Sequence, residues 1–171
     1  MVTLVPVEHA DRDALLAFEL ANRTFFEASI SPRAAAYYAA DGVAQAIQAA
    51  IDDAAAGRGY QFLVKAGDRE IVGRINLRDV ERRHFHAGLL GYRIGAAHGG
   101  KGYASAALRA LVDIAFGQLG LLRIEANASV ENTGSVRVLQ RNGFVQFGHS
   151  RRSLYLNGAW HDRLHFELHA A

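Results

Sequence analysis

Three of four consecutive positions in His98-Gly99-Gly100-Lys101-Gly102-Tyr103-Ala104 are glycine, and this stretch joins a strand-like segment to a helix-like one. Upstream, Ala87 to Ile94 reads as a strand with Gly88 and Gly91 inside it. Downstream, Gly102 to Leu119 sets Ala104, Leu108, Leu111, Val112, Ala115 and Phe116 on one broad face and stops at Gly120, the strongest helical pattern in the chain. A strand that turns through glycine straight into an amphipathic helix must lay that helix back on its sheet, which demands a fold of mixed α and β elements. Glycine has no Cβ, so the backbone can bend sharply and approach a ligand closely. The first turn of the following helix carries unpartnered N–H groups at the positive end of its dipole. Together these features describe an anion site, most naturally one for phosphate.

The remaining pattern fits around this unit. Thr3 to Val7 reads as a strand and Ala10 to Asn22 as a helix with Asp11 and Asp13 near its start and Leu15, Leu16, Phe18 and Leu20 as its apolar residues. Arg23 to Pro32 reads as a loop whose Phe25-Phe26-Glu27 either packs beneath it or lines a substrate slot. Arg33 to Ala56 is helical with a break near Asp41-Gly42. Tyr60 to Lys65 and Ile71 to Leu77 are strands joined by a turn over Ala66 to Arg69, and Arg78 to His86 is a charged connection. After the long helix come a strand over Leu122 to Val130 and a short helix over Asn132 to Asn142 closed by Gly143. Strand-like segments at Phe144 to His149, Arg152 to Leu156 and Trp160 to His169 follow, the last two joined by the hairpin signal Asn157-Gly158. There is no internal repeat or linker, so residues 1–171 are expected to form a single α/β (α+β) domain with a mixed sheet.

Composition narrows the functional classes. With 171 residues and 50% hydrophobic content the chain can bury a substantial core. A formal net charge of +2 calls for no nucleic-acid or membrane partner, and the absence of cysteine excludes disulfides, thiolate metal sites and a cysteine nucleophile. Without a spanning apolar run or a signal pattern, the expected compartment is the cytoplasm.

Two phosphate-binding patterns can be weighed against the loop. Gly95 to Gly102 spells G-x-x-x-x-G-K-G, one residue away from the nucleotide-binding G-x-x-x-x-G-K-[ST]. The missing hydroxyl is the Mg²⁺ ligand, and glycine cannot replace it. The dinucleotide pattern G-x-G-x-x-G is absent. The segments Leu89-Leu90-Gly91-Tyr92-Arg93-Ile94, Gly100-Lys101-Gly102-Tyr103-Ala104, Leu121-Leu122-Arg123-Ile124-Glu125-Ala126, Asn132-x-x-Ser135-x-Arg137-Val138-Leu139 and Gly143-Phe144, in this order and spacing, closely resemble the GNAT acetyltransferases. The closing Tyr155-Leu156-Asn157-Gly158-Ala159-Trp160-His161-Asp162 is similar to the RimJ/RimL-like branch, which includes ribosomal-protein alanine N-acetyltransferases.

The resemblance implies the GNAT fold: one mixed, mostly antiparallel central sheet of about seven strands flanked by helices and splayed between its fourth and fifth strands. It implies acetyl-CoA as donor and no metal. It places the pyrophosphate on backbone N–H groups from Gly99 through Gly100, Lys101, Gly102 and Tyr103 to Ala104. The pantetheine arm would run along Tyr92, Arg93 and Ile94, with Asn127, Asn132 and Ser135 nearby. The family's Q/R-x-x-G-x-G/A pattern falls on Gly99 to Ala104 with Gly99 in its first position, which loses a side-chain contact and keeps the backbone cradle.

Acyl transfer from a thioester needs a neutral amine, stabilisation of a developing oxyanion and a proton for the leaving thiolate. By the same resemblance Ser135 is the candidate acid, Asn132 orients the coenzyme arm, and a backbone N–H in the Tyr92 strand meets the oxyanion. The place where other branches carry an acidic tyrosine holds Leu139, and the place of the usual carboxylate base holds Leu89 and Leu90. Glu27, Glu125, Asn127, His84 and His86 remain as candidate bases. An α-amino group, with a pKa of about 7.7–8.0, needs less help than a lysine at about 10.4. The expected acceptor is therefore a weakly basic amine: a protein N-terminus or, alternatively, a small-molecule amine such as an amino acid, polyamine or antibiotic. A catalytically weak acyl-CoA-binding module is the reading from a different class, and a homodimer is possible.

Other residues have plainer expectations. His161, His165 and His169 share one strand face but lie about 13 Å apart in succession, too far for one metal ion, and should face solvent. Arg78, Arg82, Arg83 and Arg93 make a basic zone that is either solvated or attracts the coenzyme or an acidic acceptor. Tyr155 and Trp160 should pack in the core or across the hairpin, and Arg123 and Glu125 should pair on a strand face.

Overall fold

The computed structural model describes residues 1–67 and 69–171. Among these, seven strands form one sheet in the order β1-β2-β3-β4-β5-β7-β6. The strands are β1 (Val2–Pro6), β2 (Tyr60–Ala66), β3 (Glu70–Glu81), β4 (Ala87–Ile94), β5 (Arg123–Ser129), β6 (Val145–Leu156) and β7 (Ala159–His169). Every neighbouring pair is antiparallel except β4 and β5. These two run parallel because a helix connects them, and parallel neighbours require such a crossover. The helices are α1 (Arg12–Glu27), α2 (Ala40–Ala55), α3 (Tyr103–Asp113) and α4 (Thr133–Arg141). The mixed, mostly antiparallel sheet flanked by helices is the expected architecture.

Two apolar clusters hold the layers together. On one face, Val64, Ile75, Leu77, Leu90, Ile124, Ala126 and Phe166 meet Leu108, Leu111 and Ala115 of the α3 region and Leu139 of α4. On the other face, Leu63 meets Leu15, Phe18 and Phe26 of α1 and Val43, Ile47 and Ala50 of α2. Full burial of each valine, leucine, isoleucine or phenylalanine among them contributes about 1.5–3 kcal/mol, so both helical layers are anchored well beyond helix propensity alone.

The β4–β5 pairing positions the site. It covers only Ala87 to Leu90 opposite Arg123 to Ala126. Beyond that point β4 continues through Ile94 paired with β3 alone, and β5 continues through Ser129 paired with β7 alone. The sheet is therefore open between its fourth and fifth strands, as expected. Gly91 is not itself a bulge, because it pairs regularly with Asn76; the irregularity lies at Arg78–Glu81, near Gly88.

Several element boundaries differ from the sequence pattern. The first helix runs to Glu27, so Phe25 and Phe26 lie in its last turn and not in a loop. Phe26 is buried against Phe18, which extends the apolar stripe by two turns, while Phe25 is exposed. The break before α2 falls at extended Ala39, so Asp41 and Gly42 are inside the helix. Strand β3 continues to Glu81 through residues expected in a connection. The long helix ends in a π-turn over Ile114–Gln118. The last two strand-like segments before the hairpin are one strand, β6, with an irregularity between Ser150 and Leu154. The turn expected over residues 66–69 includes Asp68, which lies outside the described residues.

Candidate active site

The glycine loop enters α3 in the conformation its composition suggested. Gly100 and Gly102 have φ of +73° and +78°, in the left-handed region, and a Cβ at either would meet nothing within 4 Å. The constraint at these positions is therefore backbone conformation, with open space in front of the loop. Gly102 is the N-cap of α3, and no side chain caps the helix. The backbone N–H groups of Gly100, Lys101, Gly102, Tyr103, Ala104 and Ser105 have no acceptor among the described residues; the first bond of the helix is Ala106 N–H to Gly102 O, 3.0 Å. A run of free donors at a helix N-terminus in an open, side-chain-free cradle fits a pyrophosphate. The residues present fit the pyrophosphate of coenzyme A.

Along the open edge of β4, residues alternate in direction. Gly95 N–H bonds to Val72 O on β3 at 2.9 Å. By the alternation of an antiparallel ladder, Arg93 also faces β3, and the N–H and C=O groups of Tyr92 and Ile94 face the gap left by β5. Tyr92 and Ile94 thus offer a strand edge to an extended ligand arm. Arg93 does not: its backbone pairs with Arg74, and its side chain goes to the α1 face, 3.6 Å from Glu19.

Helix α4 brings Ser135 to this gap. Asn132 caps the helix by accepting the Ser135 N–H at 3.1 Å, and Asn142 ties its far end to α3 through Ser105 Oγ at 2.9 Å. The Tyr92 hydroxyl donates to Ser135 Oγ at 3.0 Å. Burial raises the Tyr92 pKa above its ordinary value, against the lowering effect of the Ser135 bond. The phenol therefore stays protonated near neutral pH, and the Ser135 hydroxyl proton is left free for a second partner. Asn132 is exposed, and its side chain is occupied as a cap. Asn127 lies on the opposite sheet face, in register with His165 and beyond the last β4–β5 pair. Lys101 is exposed at the loop.

Of the candidate bases, Glu125 is bonded to Arg123, which also holds Glu167 at 2.7 Å, and Glu27 is paired with Arg23 at 2.9 Å. His84 and His86 precede β4, and Tyr92 lies six residues beyond His86, about 20 Å along an extended strand. Asn127 alone among them lies beside the gap. Sequence reading missed Asn76. Its Oδ1 is buried without a partner and would lie 3.1 Å from a Cβ at Gly91, so it points into the space that glycine leaves free.

The other expectations divide. Arg123 pairs with Glu125 as anticipated. Tyr155 and Trp160 pack across the hairpin with ring centroids 5.3 Å apart, but both are exposed and neither is core. His161 and His165 are half-buried rather than solvent-facing, bonded to Glu131 at 2.7 Å and Ser150 at 2.7 Å. Among the described residues no group of three His, Cys, Asp or Glu could hold a metal ion, and no helix is long and apolar enough to cross a membrane.

Residues 1–145 match the family model described as acetyltransferase (GNAT) domain. The chain is 35% identical to the probable N-acetyltransferase YjcK of Bacillus subtilis over 158 residues, 92% of this chain and 87% of that one. It superposes on ribosomal-protein-S5-alanine acetyltransferase from Vibrio fischeri with a TM-score of 0.94 at 25% identity, covering 98% of this chain and 92% of that one. Mycobacterium smegmatis RimJ in complex with CoA-disulfide gives a TM-score of 0.90 at 30% identity, with coverage of 99% and 82%.

Proposed function

The chain belongs to the GNAT acetyltransferase family and is an acetyl-CoA-dependent N-acetyltransferase, and from that premise we propose that its acceptor is a protein N-terminal α-amine, acetylated in the cytoplasm. The observation that carries the chemistry is the Tyr92–Ser135 pair at the opening between β4 and β5.

Coenzyme A supplies the acetyl thioester when bound. The N–H groups of Gly100 to Ser105 hold its pyrophosphate, and the free edges of Tyr92 and Ile94 hold its arm. The Tyr92 N–H faces the gap, where it meets the developing oxyanion. The acceptor nitrogen forms its bond to the carbonyl carbon as the carbon–sulfur bond breaks. Ser135 would give its hydroxyl proton to the departing sulfur and take one from the Tyr92 phenol behind it, while the proton lost by the attacking amine would pass to solvent, which reprotonates the phenol. On the other sheet face, Asn76 Oδ1 and Asn127 accept the amine's N–H bonds beside Gly91. Among the described residues no carboxylate sits free at this point, so the amine must arrive largely neutral. An α-amine does so near neutral pH, and a lysine side chain does not.

The test is a panel of N-terminal peptides, free amino acids and polyamines incubated with acetyl-CoA, with thiol release followed and products located by mass spectrometry. The expected product is a peptide acetylated at its α-nitrogen. A lysine ε-amine or a polyamine as best acceptor overturns the reading, and coenzyme binding without turnover on any acceptor would favour a binding module.

A further inference from the structure

The face of the sheet that carries α1 contains buried charge that the chemistry above does not use. Glu19 of α1 is fully buried, and Arg74 of β3 is 8% exposed. Arg74 makes three hydrogen bonds here: Nη1 donates to Glu19 Oε1 at 2.6 Å and to the Tyr37 hydroxyl at 2.9 Å, and Nη2 donates to Gln61 Oε1 at 2.8 Å. The second carboxylate oxygen, Glu19 Oε2, is buried without a hydrogen bond.

Two more guanidinium groups lie in the same place. Arg93 is 18% exposed at its side chain, stands 3.6 Å from Glu19 Oε2 and sits over the Phe26 ring at 5.2 Å. That separation is too long for a hydrogen bond, and its side chain makes none with any described residue. Arg33 lies over the Tyr37 ring at 4.3 Å, and its Nε is sealed from solvent without an acceptor. Burial, then the neighbouring charges of Arg33 and Arg74, push Arg93 below the usual arginine range, with Glu19 acting against them. Arg33, Arg74 and Arg93 thus share the carboxylate of Glu19, and the excess positive charge is costly in a partly desolvated place. The arrangement becomes favourable when an anion enters, and the planar fork of a guanidinium suits a carboxylate.

The location is equally specific. Arg93 follows Tyr92 on β4, but its side chain leaves by the opposite face from the Tyr92–Ser135 pair. By the acceptor reading above, the amine enters from the α1 side, opposite the coenzyme cradle on the α3 side. The Asn157 turn closes this side by donating to Ala28 O at 3.2 Å, at the C-terminus of α1.

We propose that Arg33 and Arg93 form a recognition site for a carboxylate carried by the acceptor, namely an acidic side chain close behind the N-terminal residue. The proposal rests on the acceptor reading given above.

Two measurements test it. The first compares kcat/KM for peptides differing only at the second residue, glutamate against glutamine, with free amino acids as a third arm. The native enzyme should favour the glutamate peptide by about tenfold or more. Arg33→Met should bring that ratio close to one, Arg33→Lys should restore part of it, and Arg33→Glu should shift preference to a lysine-containing peptide. The proposal is overturned by a ratio near one in the native enzyme, by an equal loss on both peptides, or by an effect confined to the KM of acetyl-CoA, which would assign the arginines to coenzyme phosphates. A free amino acid that outperforms both peptides and loses its advantage in Arg33→Met overturns the side-chain source in favour of an α-carboxylate. The second is calorimetric binding of the N-acetylated glutamate and glutamine peptides to the CoA-loaded protein, which requires no turnover. Selective binding of the glutamate peptide without any turnover would preserve the carboxylate site and refute the acceptor reading. Equal binding of the two would refute the site itself.

Discussion

The two faces of the sheet hold their functional groups by opposite means. On the α3 face the site is mostly main chain: donors from Gly100 to Ser105, a free strand edge at Tyr92 and Ile94, and one neutral side-chain pair, Tyr92 and Ser135. On the α1 face it is long charged side chains from distant parts of the chain, with Glu19, Tyr37, Gln61 and Arg74 bonded together and Arg33 and Arg93 beside them. A main-chain site is set by a few conformationally special residues and is indifferent to most side chains. A charged side-chain site depends on every partner, because losing one strands the others in a place with little water. The first kind suits a ligand that does not change, and the second suits an acceptor that must be told from its competitors.

The sharpest way to break this comparison is to remove Glu19. Glu19→Ala leaves Arg74 buried with no counter-charge and should destabilise the fold by about 3–5 kcal/mol. The double variant Glu19→Leu/Arg74→Met removes the stranded charge with its partner and should recover most of that loss. Urea unfolding of the single and double variants measures the difference. A double variant as unstable as Glu19→Ala would mean that shape, and not charge pairing, keeps this cluster in place.

The difference between the faces also explains what could be read from the sequence. Main-chain requirements leave compositional traces: three glycines before an amphipathic run marked the cradle, and Asn132 with Gly143 bracketed the helix that carries Ser135. The Tyr92 strand was legible to the residue. The α1 face left no such trace. Glu19 falls among Leu15, Phe18 and Phe26 on the buried stripe, yet as an acid it reads as surface until Arg74, in the middle of another strand, is known to lie opposite. Phe25 and Phe26 read as loop although no glycine or proline precedes them to stop the helix; Phe26 completes the buried stripe and Phe25 is exposed. Asn76 was invisible for the same reason as Glu19. Its significance lies in facing Gly91 across a strand pair, a relation that only the register supplies.

Within the α3 face, binding and turnover should separate. Ser135→Ala removes the proton for the leaving group and should lower kcat by about a hundredfold with a small change in the KM for acetyl-CoA. Gly102→Val forces a β-branched residue to a φ of +78°, which should raise the KM for acetyl-CoA by about tenfold through strain of a few kcal/mol in the cradle, with a smaller change in kcat. Steady-state kinetics with calorimetric coenzyme binding reads both. The reverse pattern would place the chemistry at the loop and the anchor at α4.

The smallest effect tests whether the α3 face works with neutral groups, in contrast to the charges opposite. Burial raises the Tyr92 pKa, and the bond to Ser135 lowers it in part. A tyrosine whose folded pKa is raised stabilises the fold fully below its unfolded value of about 10. That contribution fades as pH climbs through the folded value, where the unfolded chain binds fewer protons. The phenolate band of Tyr92, isolated from the other five tyrosines by subtracting the titration of Tyr92→Phe, should therefore appear above pH 10. Ser135→Ala should move it higher still, because the hydroxyl that lowers it is gone. A midpoint at or below 10, or one that falls in Ser135→Ala, would show that Tyr92 ionises readily in this environment. The pair would then act as a base on the amine's side of the reaction, and the division between a neutral face and a charged face would not hold.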